Sequence, residues 1–380
     1  MSRILTTHVG SLPRPPALLE RYRQRADVSS ELRSAVAEVV RRQRELGIDI
    51  VNDGEYGKAV RRAIDYGAWA SYIYERLSGY EVRDLPDGGI LRRSKDRADF
   101  AAFYAEDGSV KETVQARPRA MVCTSAVRYT GQALVARDLD NLRAALDGGK
   151  ATAAFVTSVS PSSIEALQPN AHYRSQEEYG WAVAEAMKEE YTAIGNAGFT
   201  LQIDDPGLVV LWDWWFARER GWAEYRKFAE ARVEMLNHAL SGVPEERIRY
   251  HLCWGSWHGP HSTDAPLGKV ADLVLKVRAG AYSLEAGNVR HEHDWAVWRE
   301  VKLPAGKRLI PGVVSHSTNV VEHPELVAER LERYADVAGR DHVIAGTDCG
   351  LGGRVHAQIA WAKLEALVAG AALASKRLFR

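Results

Sequence analysis

The sequence alternates short apolar runs with longer segments of helical periodicity, and this alternation constrains the fold more than any other feature. Such a pattern is typical of βα units around a parallel sheet. A closed barrel of this class needs about eight strands, whereas the sequence offers nine candidates. The run at 120–124 is the weakest candidate strand. We therefore predict an α/β protein folded as a single (β/α)8 TIM barrel over 1–380. The candidate strands are 4–7, 48–51, 120–124, 153–157, 200–203, 248–252, 281–284, 309–314 and 342–345.

Capping residues bound several of the intervening segments. Ser30 precedes one apolar periodic stretch, and Gly47 and Gly198 follow the ends of two, as helix start and stop signals require. The predicted helices cover 30–46, 178–197, 324–338 and 359–373. The segment 80–111 is charged, rich in turn residues and poorly periodic, so we predict a long βα-loop insertion that covers the active site.

Composition excludes several classes of protein. Fifty Lys and Arg residues balance fifty Asp and Glu residues, so no excess positive charge favours nucleic acid or anionic lipid. We find no signal peptide and no run of about 18 apolar residues, which argues against secretion and membrane spanning. The three cysteines, Cys123, Cys253 and Cys349, lie far apart. They predict no disulfide framework and a reducing, cytoplasmic location.

Polar side chains that are able to bind a metal or take part in catalysis follow the predicted strands. In a β/α barrel the active site lies at the carboxyl ends of the strands, so these side chains should converge. Polar turns alone account for Ser, Asp and Gly at such positions, but not for His, Cys and Glu together. The residues in question are His8, Ser11, Glu55, Asp204, His251, Cys253, Glu285, His316, Asp348 and Cys349.

Four of these residues have the composition of a zinc site. His251 and Cys253 are two apart on a predicted strand, so their side chains leave the same face, and Glu285 and Cys349 end other strands. One imidazole, two thiolates and a carboxylate suit tetrahedral Zn²⁺. The alternative is that a cysteine in a strand is a small buried hydrophobe, which is our interpretation of Cys123.

The motifs T-T-H-V-G-S-L-P-R-P, V-N-D-G-E, L-Q-I-D-D-P-G-L, Y-H-L-C and G-T-D-C-G-L occur in this order along the chain. Together they resemble the catalytic barrel of cobalamin-independent methionine synthase. The resemblance implies that His251, Cys253 and Cys349 bind zinc, with Glu285 as a further ligand. It also implies that Ser11 lies near the carboxylate of an amino-acid thiol, and that Glu55 and Asp204 hold its ammonium group.

The chain departs from this family on the side of the methyl donor. The long methionine synthases have a further N-terminal barrel that this sequence lacks, and Ser158-Val-Ser-Pro-Ser-Ser163 stands where the family has a tryptophan for the pterin. Asp205 replaces the usual Glu. We expect methyl-folate to be a poor donor. We also expect that tryptophans line the donor pocket. Those tryptophans are Trp212, Trp214, Trp215, Trp254 and Trp257.

The predicted function is a zinc-dependent methyl or alkyl transfer to a homocysteine-like thiol that is activated as a zinc thiolate. The alternative within the family is the epoxyalkane-coenzyme M transferase reaction, in which the thiol adds to an epoxide and Arg61 and Arg62 could bind a sulfonate. A metal-free decarboxylase and a scaffold with structural zinc are less consistent with the residues. The expected partners are a small thiol and a methyl or alkyl donor, without nucleic acid or membrane; a homo-oligomer is left open.

The remaining candidates have open roles. His316 and Asp348 are candidates for a general acid or for residues that orient the metal ligands, and satisfying a strand end explains them equally well. His8 either touches the substrate or packs in the core. Four histidines beyond the sixth and seventh predicted strands are more consistent with solvated or substrate-contacting roles than with a second metal. They are His258, His261, His291 and His293.

Overall fold

The protein is a parallel β/α barrel with an antiparallel hairpin outside it. The computed structural model describes residues 2–60, 68–84, 93–106, 119–147, 149 and 151–379. Its strands are β1 (Leu5–Thr6), β2 (Ile50–Val51), β3 (Leu77–Asp84), β4 (Arg119–Tyr129), β5 (Ala153–Val159), β6 (Thr200–Asp204), β7 (Ile248–Leu252), β8 (Ala281–Glu285), β9 (Arg308–Val314) and β10 (Ile344–Thr347). Eight of them form one sheet in the order β1-β10-β9-β8-β7-β6-β5-β2. The backbone N of Asp49 donates to Thr6 O at 3.1 Å, which brings the two ends of this order together.

The predicted strand at 120–124 belongs to the hairpin and not to the barrel. It lies within β4, which pairs antiparallel with β3. The β3 strand was not predicted, because its second half, Glu81 to Asp84, is exposed and lacks a buried apolar face to mark it. The other eight predicted strands all coincide with barrel strands, which confirms the predicted fold class.

The helices cover the outside of the barrel and begin and end close to the predicted residues. Helix 324–338 matches its prediction, and the one predicted at 30–46 ends at Leu46, where Gly47 adopts a left-handed φ of 96°. The helices are α1 (Pro16–Gln24), α2 (Ser29–Leu46), α3 (Ala68–Arg76), α4 (Lys95–Asp99), α5 (Ala101–Glu106), α6 (Gln132–Leu146), α7 (Pro161–Leu167), α8 (Gln176–Asn196), α9 (Pro206–Leu211), α10 (Gly221–Ala239), α11 (Ala271–Lys276), α12 (Val297–Glu300), α13 (Pro324–Ala338) and α14 (Ala357–Leu378).

Helix α14 is long and apolar enough to cross a membrane by length and composition alone, with a mean hydropathy of 1.2. Half of the apolar stretch is buried within the protein. Lys363, in the middle of the helix, is also buried, and its Nζ lies 2.9 Å from Glu322 Oε2. A buried ion pair to a neighbouring loop is consistent with a helix that packs on the barrel.

The segment 80–111 contains a strand and two short helices in its described part, where we expected a loop. Asp96, at the start of α4, is buried and fixes this insertion to the loop that follows β7. Its Oδ1 accepts from the backbone N of Ser262 at 2.8 Å, and its Oδ2 accepts from the Tyr104 hydroxyl at 2.7 Å. The indole Nε1 of Trp257 donates to the same hydroxyl at 3.1 Å. The insertion therefore contacts a loop that begins at a predicted metal ligand, Cys253.

Large and charged side chains fill the barrel below the strand ends. Arg249, in β7, is buried; its guanidinium lies 4.1 Å from the centroid of the Phe155 ring and donates to His8 O at 2.8 Å. It also donates to Thr7 Oγ1 at 3.0 Å. The barrel interior is therefore packed rather than open, as in other barrels of this class. The polar residues predicted to form the site therefore lie above this packed layer, at the carboxyl ends of the strands.

Candidate thiol and metal site

Three of the predicted metal ligands converge at the carboxyl ends of β7 and β10. One donor atom each from His251, Cys253 and Cys349 lies within 4.8 Å of the other two. The two Sγ atoms are 3.9 Å apart. A search of the described residues for three or more His, Cys, Asp or Glu side chains close enough to hold one metal ion finds these three side chains. The alternation of side chains along β7 explains why His251 and Cys253 share a face.

The orientation of His251 leaves one ring nitrogen available. Its Nδ1 lies 3.1 Å from the hydroxyl of Ser283, its neighbour on β8. Its Nε2 is buried and has no hydrogen-bond partner. A buried polar atom without a partner costs free energy unless something binds it. A metal ion is the kind of group that this nitrogen and the two sulfur atoms fit.

The two cysteines at this site differ in acidity. A hydrogen bond from the Cys253 thiol holds the pKa of Cys349 well below its ordinary value, against the effect of burial, and His251 adds to the lowering. The pKa of Cys253 is raised, because it makes this hydrogen bond and is itself buried. Cys349 Sγ also lies 3.2 Å from Ser256 Oγ. These opposite shifts favour the thiolate form of Cys349 over that of Cys253, and the thiolate is the form that binds metals.

Glu285 lies beside this group but outside it. Its Oε1 accepts from the backbone N of Trp254 at 2.9 Å, and its Oε2 accepts from Asn288 Nδ2 at 2.6 Å. Burial raises the pKa of Glu285 to about 8, with a contribution from Asp348 and Cys349. Its role as a fourth ligand stays a prediction.

Asp348 holds the loop that carries Glu285. Its Oδ1 accepts from the backbone N of Ala286 and of Gly287, both at 2.7 Å, and its Oδ2 accepts from Asn288 Nδ2 at 3.0 Å. These contacts favour an orienting role over that of a general acid.

His316 is buried, and its Nδ1 has no hydrogen-bond partner. Burial lowers the pKa of His316 to about 4, while nearby Cys349 acts in the opposite direction. His316 is therefore a neutral imidazole near pH 7, and its role in proton transfer stays a prediction.

A strained turn after β2 presents Glu55 to the site. Asn52 Oδ1 accepts from the backbone N of Gly54 at 2.8 Å, and Asp53 Oδ1 accepts from that of Glu55 at 2.9 Å. Glu55 itself has a φ of 59°, in the left-handed region that side chains rarely adopt. Such backbone strain persists only where the surroundings fix it, and it is common at binding sites.

Gly10 leaves space next to the Glu55 carboxylate. A Cβ atom at this position would lie 2.7 Å from Glu55 Oε1 and 2.8 Å from Thr157 Cγ2. Gly10 also has a φ of 142°, which excludes most side chains. A larger residue would therefore fill the approach to Glu55.

Asp204 ends β6 at the level of His251, its register partner on β7. Burial raises the pKa of Asp204 to about 7; the charge of Glu55 raises it further, and His251 acts against both. Gln202 Nε2 donates to Asp204 Oδ1 at 2.6 Å. A buried acid whose pKa is raised by a neighbouring carboxylate favours the binding of a cation beside it.

Ser11 and His8 occupy different surroundings. The backbone O of Ser11 accepts from the backbone N of Leu351 and Gly352, in the loop after Cys349. His8 is buried, its Nε2 lies 2.8 Å from Gln43 Oε1, and burial lowers its pKa to about 4. Its ring meets Phe155 edge-on at 5.6 Å. These contacts favour core packing for His8, and Ser11 lies against the loop that follows Cys349, a predicted metal ligand.

The serines that replace the family's tryptophan are buried around Asp205. Ser160 Oγ donates to Asp205 Oδ1 at 2.6 Å, and Tyr250 OH donates to Asp205 Oδ2 at 2.8 Å. Asp205 also caps α9 through the backbone N of Leu208. The serines and Asp205 therefore form a polar cluster behind the strand ends instead of an aromatic platform.

Four of the five tryptophans of the predicted donor wall divide into two groups. Trp212 stacks on Trp222 at 3.7 Å, and Trp215 meets Phe228 at 5.4 Å, so both pack against α10. Trp254 and Trp257, which follow β7, stack on His291 and His261 at 3.9 and 4.0 Å.

Two of the four loop histidines, His261 and His291, lie within a buried carboxylate network, and the exposed His293 lies 3.4 Å from Asp294 Oδ1 at its edge. His291 lies 2.9 Å from Asp294 Oδ2 and 3.1 Å from Asp264 Oδ2, and Asp264 Oδ2 also lies 3.0 Å from His261. His258 and His293 are exposed. This arrangement agrees with roles other than a second metal site. Arg61 and Arg62, the predicted sulfonate-binding residues, lie outside the described residues.

Sequence reasoning missed several residues that position the site. Ser283 fixes His251, Asn288 joins Glu285 to Asp348, and Lys58 lies beside Glu55. Lys58 is the first residue of a basic and aromatic segment that follows the D-G-E motif. The position of this segment next to a site motif could have indicated the role of Lys58. The other two are unremarkable in the sequence, because their importance arises from contacts between strands.

Fold and site together define a class of protein, the β/α barrels with a His and Cys metal-type cluster at the strand ends. Residues 155–373, more than half of the chain, match the family described as the cobalamin-independent synthase catalytic domain, and the chain belongs to that family.

Individual relatives carry two kinds of name. The chain is 26% identical over 370 residues to 2-hydroxypropyl-CoM lyase of Xanthobacter autotrophicus, covering 90% of this chain and 85% of that protein. It is 23% identical over 383 residues to the methionine synthase of Thermococcus kodakarensis, covering 99% and 94%. Among solved structures, the B12-independent methionine synthase of Shewanella sp. W3-18-1, in complex with selenomethionine, superposes with a TM-score of 0.72 at 20% identity and 99% coverage of both chains. The last match supports the barrel fold.

Proposed function

We propose that the protein is a zinc-dependent transferase that moves a methyl or alkyl group to the sulfur of a small, homocysteine-like thiol. The observation that carries this proposal is the convergence of His251, Cys253 and Cys349 within 4.8 Å. The unpartnered Nε2 of His251 and the lowered pKa of Cys349 support it, because thiolate and imidazole ligands favour zinc over magnesium or calcium.

A bound zinc ion would keep the substrate thiol deprotonated near neutral pH, where a free thiol with a pKa of about 8.5 is mostly protonated. The chain's own residues would do the rest. Glu55 and Asp204 would bind the ammonium group of the acceptor, and this anchors the sulfur at a fixed distance from the cluster. Asp348 would hold the Glu285 loop, and His316 would exchange a proton with the leaving group or the acceptor.

The relative named 2-hydroxypropyl-CoM lyase favours a second candidate function, the addition of a thiol to an epoxide. In that reaction the sulfur forms a bond to an epoxide carbon, the carbon–oxygen bond breaks, and the resulting alkoxide takes a proton. A proton donor near the sulfur is then required, and the ring N–H of the neutral His316 is the candidate in this site. The two functions share the thiol end of the site and differ in the electrophile.

The test is a cobalt-substituted protein titrated with thiols. Replacement of zinc by Co²⁺ gives absorption bands that change when a thiol becomes a ligand, so homocysteine and coenzyme M can be compared directly. We expect thiol-dependent spectral changes, followed by product formation with a methyl or alkyl donor or with an epoxide. Absence of any change with either thiol would contradict the proposal.

A further inference from the structure

Two buried aspartates, Asp96 and Asp213, join three segments of the chain at the carboxyl end of the barrel. Asp96 lies in α4 of the insertion, and Asp213 lies in the π-helical turn Trp212–Phe216 that follows α9. Asp213 Oδ1 accepts from the backbone N of Asp96 at 2.9 Å, and its carboxylate also accepts from the hydroxyls of Ser94 and Thr263. Thr263 belongs to the loop after β7. One carboxylate therefore connects the segments that follow β6 and β7 to the insertion.

Asp96 holds the same loop one residue earlier. Its Oδ1 accepts from the backbone N and from the hydroxyl of Ser262, at 2.8 and 2.6 Å. Its Oδ2 accepts from Tyr104 OH, and this hydroxyl in turn accepts from the indole Nε1 of Trp257 at 3.1 Å. Asp96 and Asp213 are only 1% and 4% exposed. Because a buried carboxylate costs free energy unless hydrogen bonds compensate it, these donors have to stay in place.

The ring of Trp257 has little freedom within this loop. It stacks on His261 with 4.0 Å between the ring centroids. A Cβ atom built on Gly255 would lie 2.2 Å from Trp257 Cζ3, and one built on Gly259 would lie 2.3 Å from its Nε1. Gly255 also has a φ of 91°, which most side chains exclude. The two glycines therefore allow the indole to lie against the backbone, where Tyr104 fixes its edge.

The same loop contacts the sulfur cluster through Ser256. Ser256 Oγ lies 3.2 Å from Cys349 Sγ, and Ser256 precedes Trp257 in the chain. Cys253 is buried, whereas Cys349 is partly exposed. The loop thus begins at one predicted ligand and contacts a second one, while hydrogen bonds to two carboxylates from other segments fix its far end.

We propose that Asp96 and Asp213 are positioning residues that hold the loop after β7 over the sulfur cluster, so that Ser256 stays against Cys349 and water is kept from its sulfur. They act through the loop and not on the reacting atoms. Exclusion of water strengthens the electrostatic interactions inside a site, and groups that are already in place need not reorganise during the reaction. The effect on group transfer rests on the proposed function; the fixing of the loop does not.

The test measures how fast iodoacetamide alkylates each cysteine of the metal-free protein, read by mass spectrometry of its peptides. Asp96→Asn leaves one oxygen where two accepted hydrogen bonds, so we expect alkylation of Cys349 to become about tenfold faster as the loop opens. Asp99→Asn, an exposed position in the same helix, is the matched control and should leave the rate unchanged. Cys123, in the hairpin, is the internal reference, because a general loss of structure would raise its rate too.

Asp213→Asn and Tyr104→Phe weaken the same connection at other points. Both should make alkylation of Cys349 faster while that of Cys123 stays constant. If Asp96→Asn does not fold, Tyr104→Phe decides, because it removes one hydroxyl from a partly exposed side chain. An unchanged rate at Cys349 in the folded variants, or an equal rise at Cys123, would overturn the inference.

Ser256→Ala tests the contact with the sulfur itself. It should raise the alkylation rate of Cys349, and its effect should be less than additive with that of Asp96→Asn, because both changes remove the same contact. Full additivity would show that Asp96 does not act through Ser256 and would contradict the inference.

The zinc-loaded protein gives a second readout. Asp96→Asn should lower kcat by about tenfold and leave the KM of the thiol nearly unchanged, since Glu55 and Asp204, which we assign to the acceptor's tail, belong to the ends of β2 and β6. A raised KM with an unchanged kcat would contradict this role. Faster alkylation of Cys349 in a protein that transfers nothing would refute the proposed function and leave the positioning role standing. Unchanged alkylation in an active transferase would refute the positioning role alone.

Discussion

The sulfur atoms of Cys253 and Cys349 lie 3.9 Å apart, although 96 residues separate them in the chain. Both are close to the imidazole of His251. In a chain with three cysteines, this pairing separates the two that we assign to the metal from the third, Cys123, which lies in the hairpin strand β4. The contrast provides a matched control for the first prediction.

We expect the purified protein to bind about one zinc ion per chain, and Cys253→Ser or Cys349→Ser to lose the metal and the activity together. Cys123→Ser should keep both, because Cys123 is buried away from the cluster with a pKa raised to about 11 by burial. Metal analysis and circular dichroism check the prediction. The fold should survive in all three variants, since a barrel of this size does not depend on a metal. Full zinc retention in the double variant at Cys253 and Cys349 would refute it.

Asp348→Asn should destabilise the protein by about 1–3 kcal/mol, because the amide places an NH2 group or a weaker acceptor against two backbone N–H donors. Zinc affinity should fall in parallel, since the loop that Asp348 holds carries Glu285. Denaturant unfolding and a zinc competition assay measure the two effects. Unchanged stability with complete loss of turnover would instead indicate an acid role for Asp348.

The affinity for homocysteine should rise from pH 6 to pH 8 as Asp204, with a pKa of about 7, becomes charged. The sign follows because an ammonium group binds the ionised carboxylate better than the neutral acid. Thiol deprotonation adds its own pH dependence, so 4-mercaptobutyrate, without an ammonium group, is the reference. The difference between the two profiles should disappear in Asp204→Asn. A difference that persists in this variant would remove Asp204 from the ammonium site.

His291→Gln should lower stability at pH 6 by about 3 kcal/mol, because Asp264 and Asp294 then lose the cation between them. Against the effect of burial, these carboxylates raise the pKa of His291 to about 10. A raised pKa contributes stability that is fully present below the unfolded value of about 6.5 and is lost as pH rises through 10. The deficit of the variant should therefore shrink between pH 7 and pH 10. His293→Gln, at a neighbouring side chain that is 78% exposed, should have little effect at any pH.

Methyl-tetrahydrofolate should be a poor methyl donor, because serines stand where the resemblance implies a tryptophan for the pterin, and Ser160 and Ser162 donate to Asp205. Loss of an aromatic stacking face typically costs on the order of 1 kcal/mol. Release of tetrahydrofolate with homocysteine as acceptor measures this directly, using donors with one and with several glutamates. Efficient turnover that improves with added glutamates would show that the site binds folate after all.

The barrel and the convergence of His251, Cys253 and Cys349 could be predicted, because local patterns determine them. Alternation within β7 is enough to place His251 and Cys253 on one face, and the position of Cys349 after an apolar run places it at the same end of the barrel. The hairpin strand β3 could not be predicted, because its exposed half has no apolar periodicity.

The contacts that tune the site could not be predicted, because they join residues far apart in sequence. Asp348 resembles a catalytic acid until the loop after β8 is seen to donate two backbone N–H groups to it. Lys58 resembles a surface lysine until Thr157, on another strand, is found at its ammonium group.

The closure of the barrel has a consequence for biosynthesis. Cys349 follows β10, which pairs with β1, and Leu351 and Gly352 bond to Ser11 near the start of the chain. The cluster is therefore incomplete until the last strand has docked onto the first. A nascent chain that has emerged only through β7 would hold His251 and Cys253 without their partner. An ion that needs all three residues would then be held only by molecules in which the last strand has docked onto the first.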